Sequence, residues 1–215
     1  MKAEFIYCSG SKNLILFFAG WAMDASPFKE LRPRNADLMI VYDYSDMTFD
    51  KSIIEHYDYI KLIGWSMGVY AASFVFRNND ERITHSIAIN GTKYPIDNER
   101  GIAENIFNGT LEGLNEKSLG KFQLRMCGSK AAFENYIKIQ PQRDIEDIRN
   151  ELREIQNHYN IYGVPRFTWD MAIIGSGDKI FLPENQTKAY GNATIVINNL
   201  EPHYSHQLLN VVING

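Results

Sequence analysis

A serine between two glycines is the feature of this sequence with the most direct chemical meaning. The pentapeptide Gly-Trp-Ser-Met-Gly occupies residues 64–68, directly after an apolar run at 59–63 and before a second apolar run at 69–76. A G-x-S-x-G pattern between a strand and a helix predicts a tight turn that exposes the serine at the helix N-terminus. Glycines suit both flanks because this turn is strained and crowded. We therefore predict that Ser66 is a nucleophile, with an ordinary turn serine as the alternative.

A serine nucleophile needs a histidine base and an acid that orients the base. The apolar run at 171–174 leads into Gly-Ser-Gly-Asp, so Asp178 follows the carboxyl end of a predicted strand. Open α/β sheets build their sites at that end. Asp178 is the predicted acid, and a turn or helix-cap aspartate is the alternative. Asp170 precedes the same strand and would lie at its wrong end.

The base must come from five histidines. His203 and His206 are the two that follow both Ser66 and Asp178, and His203 lies in the loop after the last predicted strand. We predict His203 as the base; His206 is the alternative and is expected to begin a final helix at 207–213. The pair is weak evidence for a metal site, because no cysteine or H-E-x-x-H helix accompanies it. Three others are predicted to be ordinary surface or core residues: His56, His85 and His158.

Acyl transfer also needs backbone donors for the developing oxyanion. The amide of Met67, directly after the serine, is the first predicted donor. The apolar run at 14–19 leads into Gly20 and Trp21, so the amide of Trp21 is the predicted second donor and Gly20 allows close approach. Trp21 and Trp65 each abut one of these elements. We predict that they line an aromatic acyl site, with core or rim aromatics as the alternative.

Short apolar runs with strand character recur along the chain, and most are bounded by Gly, Asn, Asp or Pro. Runs that are apolar on both faces suit strands covered by helices, and the intervals between them are helix-length. The pattern predicts an α/β fold of the α/β-hydrolase type, with a mostly parallel central sheet flanked by helices. The predicted strands are 4–8, 13–18, 38–42, 59–63, 85–89, 171–174 and 194–197.

Residues 94–162 interrupt this alternation of strands and helices because they contain no strand signal. This segment is predicted to be a small inserted helical cap within a single domain spanning 1–215. Its clearest helix is expected at 145–155, where isoleucines and a leucine recur at spacings of three and four. Asp144 is the predicted N-cap of that helix.

Composition narrows the class of protein. With 215 residues, 45% hydrophobic and 22% charged, the chain can bury a full-sized core. A net charge of −4 without a basic run argues against nucleic acid as the main partner. Cys8 and Cys127 are too few for a disulfide framework and are predicted to be free thiols of a cytoplasmic protein. Neither a secretion signal nor a membrane-spanning run is expected near the N-terminus, so no membrane partner is predicted.

The motifs together resemble one family. Residues 18–24, the pentapeptide at 64–68, Asp178 in its glycine turn and the pair Pro202-His203 resemble the biotin-pathway pimeloyl-acyl-carrier-protein methyl ester esterases, most closely the BioG type. The resemblance spans nearly the whole chain. It implies a triad of Ser66, Asp178 and His203, with the two predicted backbone amides as the oxyanion hole.

The implied reaction is hydrolysis of the methyl ester of pimeloyl-acyl-carrier protein through an acyl-enzyme, with no metal or organic cofactor. An acidic carrier protein as partner predicts basic residues at the rim of the cap. Arg149 and Arg153, four apart on the predicted helix, are candidate docking residues, although acidic neighbours favour an ordinary solvated face. Other basic residues available for docking are Lys121, Arg125 and Arg143.

Two other functions fit the same residues. One is a broad carboxylesterase or thioesterase acting on small acyl esters, because a triad fixes the reaction class and not the acyl chain. The other is a non-catalytic binding protein that keeps the hydrolase fold with an idle triad. The oligomeric state has no signal in this sequence.

Overall fold

A single seven-stranded sheet forms the centre of the protein. The computed structural model describes residues 1–191, 193–198 and 200–214. All seven predicted strands are present, and their ends differ from the predicted ends by at most two residues. The strands are β1 Lys2–Tyr7, β2 Asn13–Phe18, β3 Asp37–Tyr42, β4 Tyr59–Trp65, β5 Ile83–Ile89, β6 Met171–Gly175 and β7 Thr194–Asn198.

The sheet is mostly parallel, as predicted. Its strand order is β1-β3-β2-β4-β5-β6-β7, and β1 pairs antiparallel with β3 while every other neighbouring pair is parallel. Parallel strands carry their carboxyl ends to one edge of a sheet, where open α/β proteins bind ligands. The segments that follow β2, β4, β5 and β6 therefore meet at this edge.

Seven α-helices accompany the sheet in the described residues, together with short 3₁₀ turns at Ser26–Phe28 and Lys51–Ile54. One helix follows β4 directly, four lie between β5 and β6, and two complete the chain on either side of β7. The helices are α1 Met67–Val75, α2 Glu104–Glu112, α3 Glu116–Cys127, α4 Lys130–Ile137, α5 Ile145–Tyr162, α6 Pro183–Tyr190 and α7 His206–Asn214.

Alternate residues of β2 enter two hydrophobic clusters. Leu14, Leu16 and Phe18 belong to one cluster, and Ile15 and Phe17 belong to the other. Successive side chains of a strand point to opposite faces, so the two clusters cover the two sides of the sheet. This double burial explains why the strand is a continuous apolar run. Among the described helices, none combines the length and apolarity needed to cross a membrane.

The segment 94–162 contains the four helices α2 to α5, and the last of them is longer than the sequence pattern predicts. The periodic pattern predicted 145–155, whereas α5 continues to Tyr162 and ends at Gly163, which has a positive φ of 64°. Aromatic packing on α1 supports the additional turns, because Tyr159 lies against Tyr70 and Tyr162 lies against Phe74. These contacts join residues far apart in sequence, so the local spacing of apolar residues could not reveal them.

Asp144 occupies the predicted N-cap position of α5, but its side chain does not cap the helix. Its backbone is extended and its carbonyl accepts from the Ile148 amide at 3.1 Å, but its side chain makes no capping hydrogen bond. Glu146 and Asp147 in the first turn supply negative charge near the helix N-terminus. The predicted side-chain cap at Asp144 is therefore wrong, while the predicted start of the helix is right.

Candidate active site

Ser66 lies in a strained turn between β4 and α1. Its backbone has φ 58° and ψ −128°, a conformation that costs a non-glycine residue about 1–3 kcal/mol. A Cβ atom on Gly68 would lie 2.2 Å from the carbonyl oxygen of Phe18, and one on Gly64 would lie 2.9 Å from the ring of Trp169. Both flanking positions therefore require glycine, and this steric requirement explains the two glycines of the G-x-S-x-G motif.

The structure brings Ser66, His203 and Asp178 into one chain of hydrogen bonds. His203 Nε2 lies 2.9 Å from Ser66 Oγ, and His203 Nδ1 lies 2.9 Å from Asp178 Oδ2. All three residues are buried. His206, the alternative base, instead begins α7 and has Nδ1 3.4 Å from the hydroxyl of Tyr204.

Asp178 is held by four hydrogen-bond donors. Oδ1 accepts from the backbone amides of Ile180 at 2.8 Å and Phe181 at 3.1 Å. Oδ2 accepts from Gln186 Nε2 at 3.0 Å in addition to its contact with His203. An ionised carboxylate is an acceptor-only group and suits this ring of donors. Sequence analysis missed the fully buried Gln186, because no spacing rule links it to the aspartate.

Two side chains hold the backbone of the His203 loop. Asn90 Nδ2 donates to the carbonyl oxygens of Pro202 at 2.9 Å and His203 at 3.0 Å, and Asn90 Oδ1 accepts from the Gly175 amide at 2.7 Å. Trp65 Nε1 donates to the same His203 carbonyl at 2.9 Å. Asn90 was missed from sequence, although a polar residue directly after the run at 85–89 was a usable signal.

The two tryptophans have different surroundings. The Trp21 ring lines the cavity above Ser66, and its Nε1 donates to the Ile148 carbonyl of α5 at 2.8 Å. Trp65 is fully buried beneath the site, with its ring centroid 5.5 Å from that of His203. Of the two predicted acyl-site aromatics, Trp21 therefore lies at the cavity and Trp65 lies behind the histidine.

The loop after β2 abuts Ser66. A Cβ atom on Gly20 would lie 3.2 Å from Ser66 Cβ, so no larger residue fits between the loop and the serine without a shift. Among the described residues, the backbone amides of Trp21 and Met67 donate no hydrogen bond to the protein. Both donors are therefore unused within the described part of the protein.

A cavity of about 60 Å³ lies above Ser66 and is lined mainly by apolar side chains. Part of its wall comes from the segment 94–162 and includes Ile106, Phe107 and Leu152. A second groove, of about 340 Å³, continues between α2 and α3. The two share four lining residues, Ile106, Thr110, Phe122 and Arg125, and Lys121 lines the groove farther out.

The basic residues proposed for docking have different environments. Arg149 pairs with Glu146 and donates to the Leu114 carbonyl, while Arg153 is exposed. Arg143 is only 6% exposed and belongs to an internal ion-pair network, so it presents no cation to a partner. Lys121 and Arg125 are exposed and lie along the groove.

Other residues with nucleophilic or ligating groups lie elsewhere. Asp170 Oδ2 accepts from Ser86 at 2.8 Å at the opposite end of β6. His158 Nδ1 lies 2.7 Å from the Tyr70 hydroxyl, and burial lowers the pKa of this histidine. Burial raises the pKa of Cys127 to about 12, which makes it a poor nucleophile. Within the described ranges, no three His, Cys, Asp or Glu residues are grouped to hold a metal ion.

The sheet, the strained serine turn and the hydrogen-bonded side chains at the carboxyl edge define an α/β-hydrolase. Solved structures agree on the fold. A lipase-esterase related protein from Clostridium acetobutylicum superimposes with a TM-score of 0.65 at 15% identity, over 99% of this chain and 97% of that one.

The chain belongs to the family described as pimeloyl-ACP methyl esterase BioG, whose model matches residues 1–211. The crystal structure of BioG from Haemophilus influenzae is similar, with a TM-score of 0.87 and 37% identity over 97% of this chain and 96% of that chain. A malonyl-[acyl-carrier protein] O-methyltransferase from Bacteroides fragilis is 45% identical over 199 residues, 92% of this chain. The chain spans about two fifths of that relative, 41% of its length.

Proposed function

We propose that this protein is a serine esterase that removes the methyl group from pimeloyl-acyl-carrier-protein methyl ester. The observation that carries the proposal is the continuous hydrogen-bonded chain from Ser66 through His203 to Asp178, with both distances at 2.9 Å. Membership of the BioG family supports the substrate. The largely apolar cavity above Ser66 supports an aliphatic acyl chain.

In the proposed mechanism, His203 Nε2 takes the proton of Ser66 Oγ as that oxygen attacks the ester carbonyl. The carbonyl oxygen becomes an oxyanion and accepts from the amides of Trp21 and Met67. The tetrahedral intermediate then expels methoxide, which takes the proton from His203 and leaves as methanol. An acyl-enzyme on Ser66 remains.

Water completes the cycle. His203 takes a proton from a water molecule as the water oxygen attacks the acyl carbonyl, and a second oxyanion forms in the same place. Its collapse returns the proton to Ser66 Oγ and releases the free carboxylic acid. Asp178 keeps His203 Nδ1 protonated throughout, so that Nε2 is the nitrogen that exchanges protons with the reactants.

The carrier protein must lie at the far end of the acyl chain, away from the methyl ester. We assign its attachment arm to the groove between α2 and α3, because this groove shares four lining residues with the cavity above Ser66. Lys121 and Arg125 supply positive charge along it, which complements an acidic carrier. In this assignment the main basic docking residues are Lys121 and Arg125 on α3, in place of Arg149 and Arg153 on α5.

Reversing the charge of Lys121 tests this route. In the Lys121→Glu variant we expect KM for the carrier-bound ester to rise about 3- to 10-fold, because the variant repels an acidic partner. Hydrolysis of a short p-nitrophenyl ester should be unchanged. Lys117→Glu is the matched control, since it makes the same charge change at an exposed position of α3 outside the groove lining.

Arg153→Glu tests the alternative docking site on α5 in the same assay. A larger rise in KM for Arg153→Glu than for Lys121→Glu would move docking back to α5. Equal changes for carrier-bound and short esters would contradict charge-based docking at either helix.

A fluorophosphonate probe separates an esterase from a binding protein. We expect covalent labelling of the wild-type protein at Ser66, no labelling of Ser66→Ala, and strongly slowed labelling of His203→Ala, because the probe needs an activated serine. Mass spectrometry of the labelled peptide checks the position. An unlabelled wild-type protein would favour the binding function.

A broad esterase acting on small acyl esters is the second candidate. The observation that favours it is the small volume directly above Ser66, about 60 Å³. Comparing kcat/KM for carrier-bound pimeloyl methyl ester and for free short esters distinguishes the two candidates, since a small-ester enzyme gains nothing from the carrier.

A further inference from the structure

A fully buried carboxylate on α5 reaches two loops of the sheet's carboxyl edge. Glu151 is 0% exposed, although nothing in the proposed mechanism uses it. Its Oε2 accepts from the Ala22 amide at 3.1 Å, and its Oε1 accepts from the Tyr44 amide at 3.1 Å. One side chain thus binds the loop after β2 and the loop after β3.

Both loops contain a residue in the left-handed region at this point. Ala22 has φ 65°, and Asp43, directly before Tyr44, has φ 59°. A non-glycine residue in this region is strained and persists only where the surroundings hold it in place. The carboxylate of Glu151 supplies an acceptor to the amide at or next to each strained position.

Arg143 reinforces the same contacts. Its Nη1 donates to Glu151 Oε2 at 2.6 Å and to the Met23 carbonyl at 3.2 Å. Its Nη2 faces Asp43 Oδ1 at 3.0 Å as an ion pair. A buried ion pair of this kind is often replaced by apolar residues at little or no cost in stability, so stability alone does not account for it.

The loop that Glu151 holds carries the proposed oxyanion donor. Binding of the Ala22 amide fixes the peptide plane that follows Trp21, and Trp21 Nε1 is bound by the Ile148 carbonyl, three residues before Glu151 on the same helix. We propose that Glu151 is a positioning residue that holds the Trp21 amide toward Ser66, so that the helical segment sets the geometry of the oxyanion hole. The inference rests on the proposed esterase mechanism.

The Glu151→Gln variant tests this role, because a glutamine of the same shape can accept through only one oxygen. With a short p-nitrophenyl ester we expect kcat to fall about 30-fold, less than the roughly 100- to 1000-fold loss when an oxyanion donor is removed. KM should change less than about twofold, because the planar ester does not depend on the amide. Affinity for a trifluoromethyl ketone, which forms a tetrahedral oxyanion on serine, should fall by the same factor as kcat/KM.

Two further variants make the result decisive. Glu154→Gln is the matched control on α5, where the carboxylate accepts from Asn157 at 3.1 Å and has no role in the site, so wild-type kinetics are expected. Ala22→Gly introduces no buried polar change and should fold, because glycine adopts φ 65° readily. Glycine allows the loop more backbone conformations and so holds the Trp21 amide less firmly. We therefore expect kcat to fall several-fold with KM unchanged.

The inference is overturned if folded Glu151→Gln keeps the wild-type kcat, or if the loss appears in KM while ketone affinity is unchanged. Wild-type kcat in Ala22→Gly together with an unfolded Glu151→Gln would also overturn it, since Glu151 would then serve folding alone. Ser66→Ala is assayed in parallel. Ester hydrolysis that persists in the Ser66→Ala variant would contradict the proposed function itself.

Discussion

Replacing Asp178 with asparagine is expected to lower kcat for ester hydrolysis about 10⁴-fold while the protein remains folded. Oδ1 accepts from the backbone amides of Ile180 and Phe181, so the asparagine oxygen must take that place. The NH₂ group then occupies the Oδ2 position and donates toward His203 Nδ1. The imidazole is forced into the other tautomer, and its protonated Nε2 can no longer accept the proton of Ser66.

Asp170→Asn is the control for this prediction. Asp170 lies at the amino end of β6 and accepts from Ser86, so its replacement should leave kcat near the wild-type value. Steady-state kinetics on a short ester, with circular dichroism to verify folding, make the comparison. Similar rates for Asp178→Asn and Asp170→Asn would exclude Asp178 as the residue that orients the base.

The second large effect is on stability. Gly68→Ala should lower the free energy of unfolding by more than about 3 kcal/mol, a larger loss than most single substitutions cause. The added Cβ would lie 2.2 Å from the carbonyl oxygen of Phe18 and 2.5 Å from that of Ala19, so α1 or the end of β2 must move. Glycine-to-alanine changes inside helices ordinarily stabilise, which makes the sign of this effect diagnostic.

Gly109→Ala is the matched comparison, because Gly109 lies exposed inside α2 and a Cβ atom there meets no atom within 4 Å. This variant should gain about 0.5–1 kcal/mol. Urea unfolding of both variants and the wild type measures the two differences. Equal and small effects at the two glycines would contradict a steric requirement for glycine at position 68.

Four strands, β2, β3, β4 and β6, were predictable from sequence because most of their residues are buried. Each is a largely apolar run, and β2 contributes to both hydrophobic clusters. The hydrogen-bonded set of Ser66, Asp178 and His203 was predictable from the position of each residue after a strand. Each follows a strand whose carboxyl end reaches the same edge of the sheet, so chain order and strand position were sufficient to bring them together.

The residues that support the site were not predictable in the same way. In the sequence, Glu151 and Arg143 belong to a charged helix and the segment before it. In the structure, both side chains are buried and bind loops at least 100 residues away. Gln186 supports Asp178 from α6, and Trp65 binds the carbonyl of His203 instead of facing the cavity. Such roles depend on long-range contacts, which periodicity and spacing do not encode.

The most direct test of the central claim is release of methanol from pimeloyl-acyl-carrier-protein methyl ester by the purified protein and by its Ser66→Ala variant. Short p-nitrophenyl esters are assayed alongside. We predict turnover of the carrier-bound ester by the wild-type protein, with kcat/KM well above that for the short esters, and loss of both activities in Ser66→Ala. Turnover of small esters alone would contradict the substrate, and methanol release that survives in Ser66→Ala would contradict the mechanism.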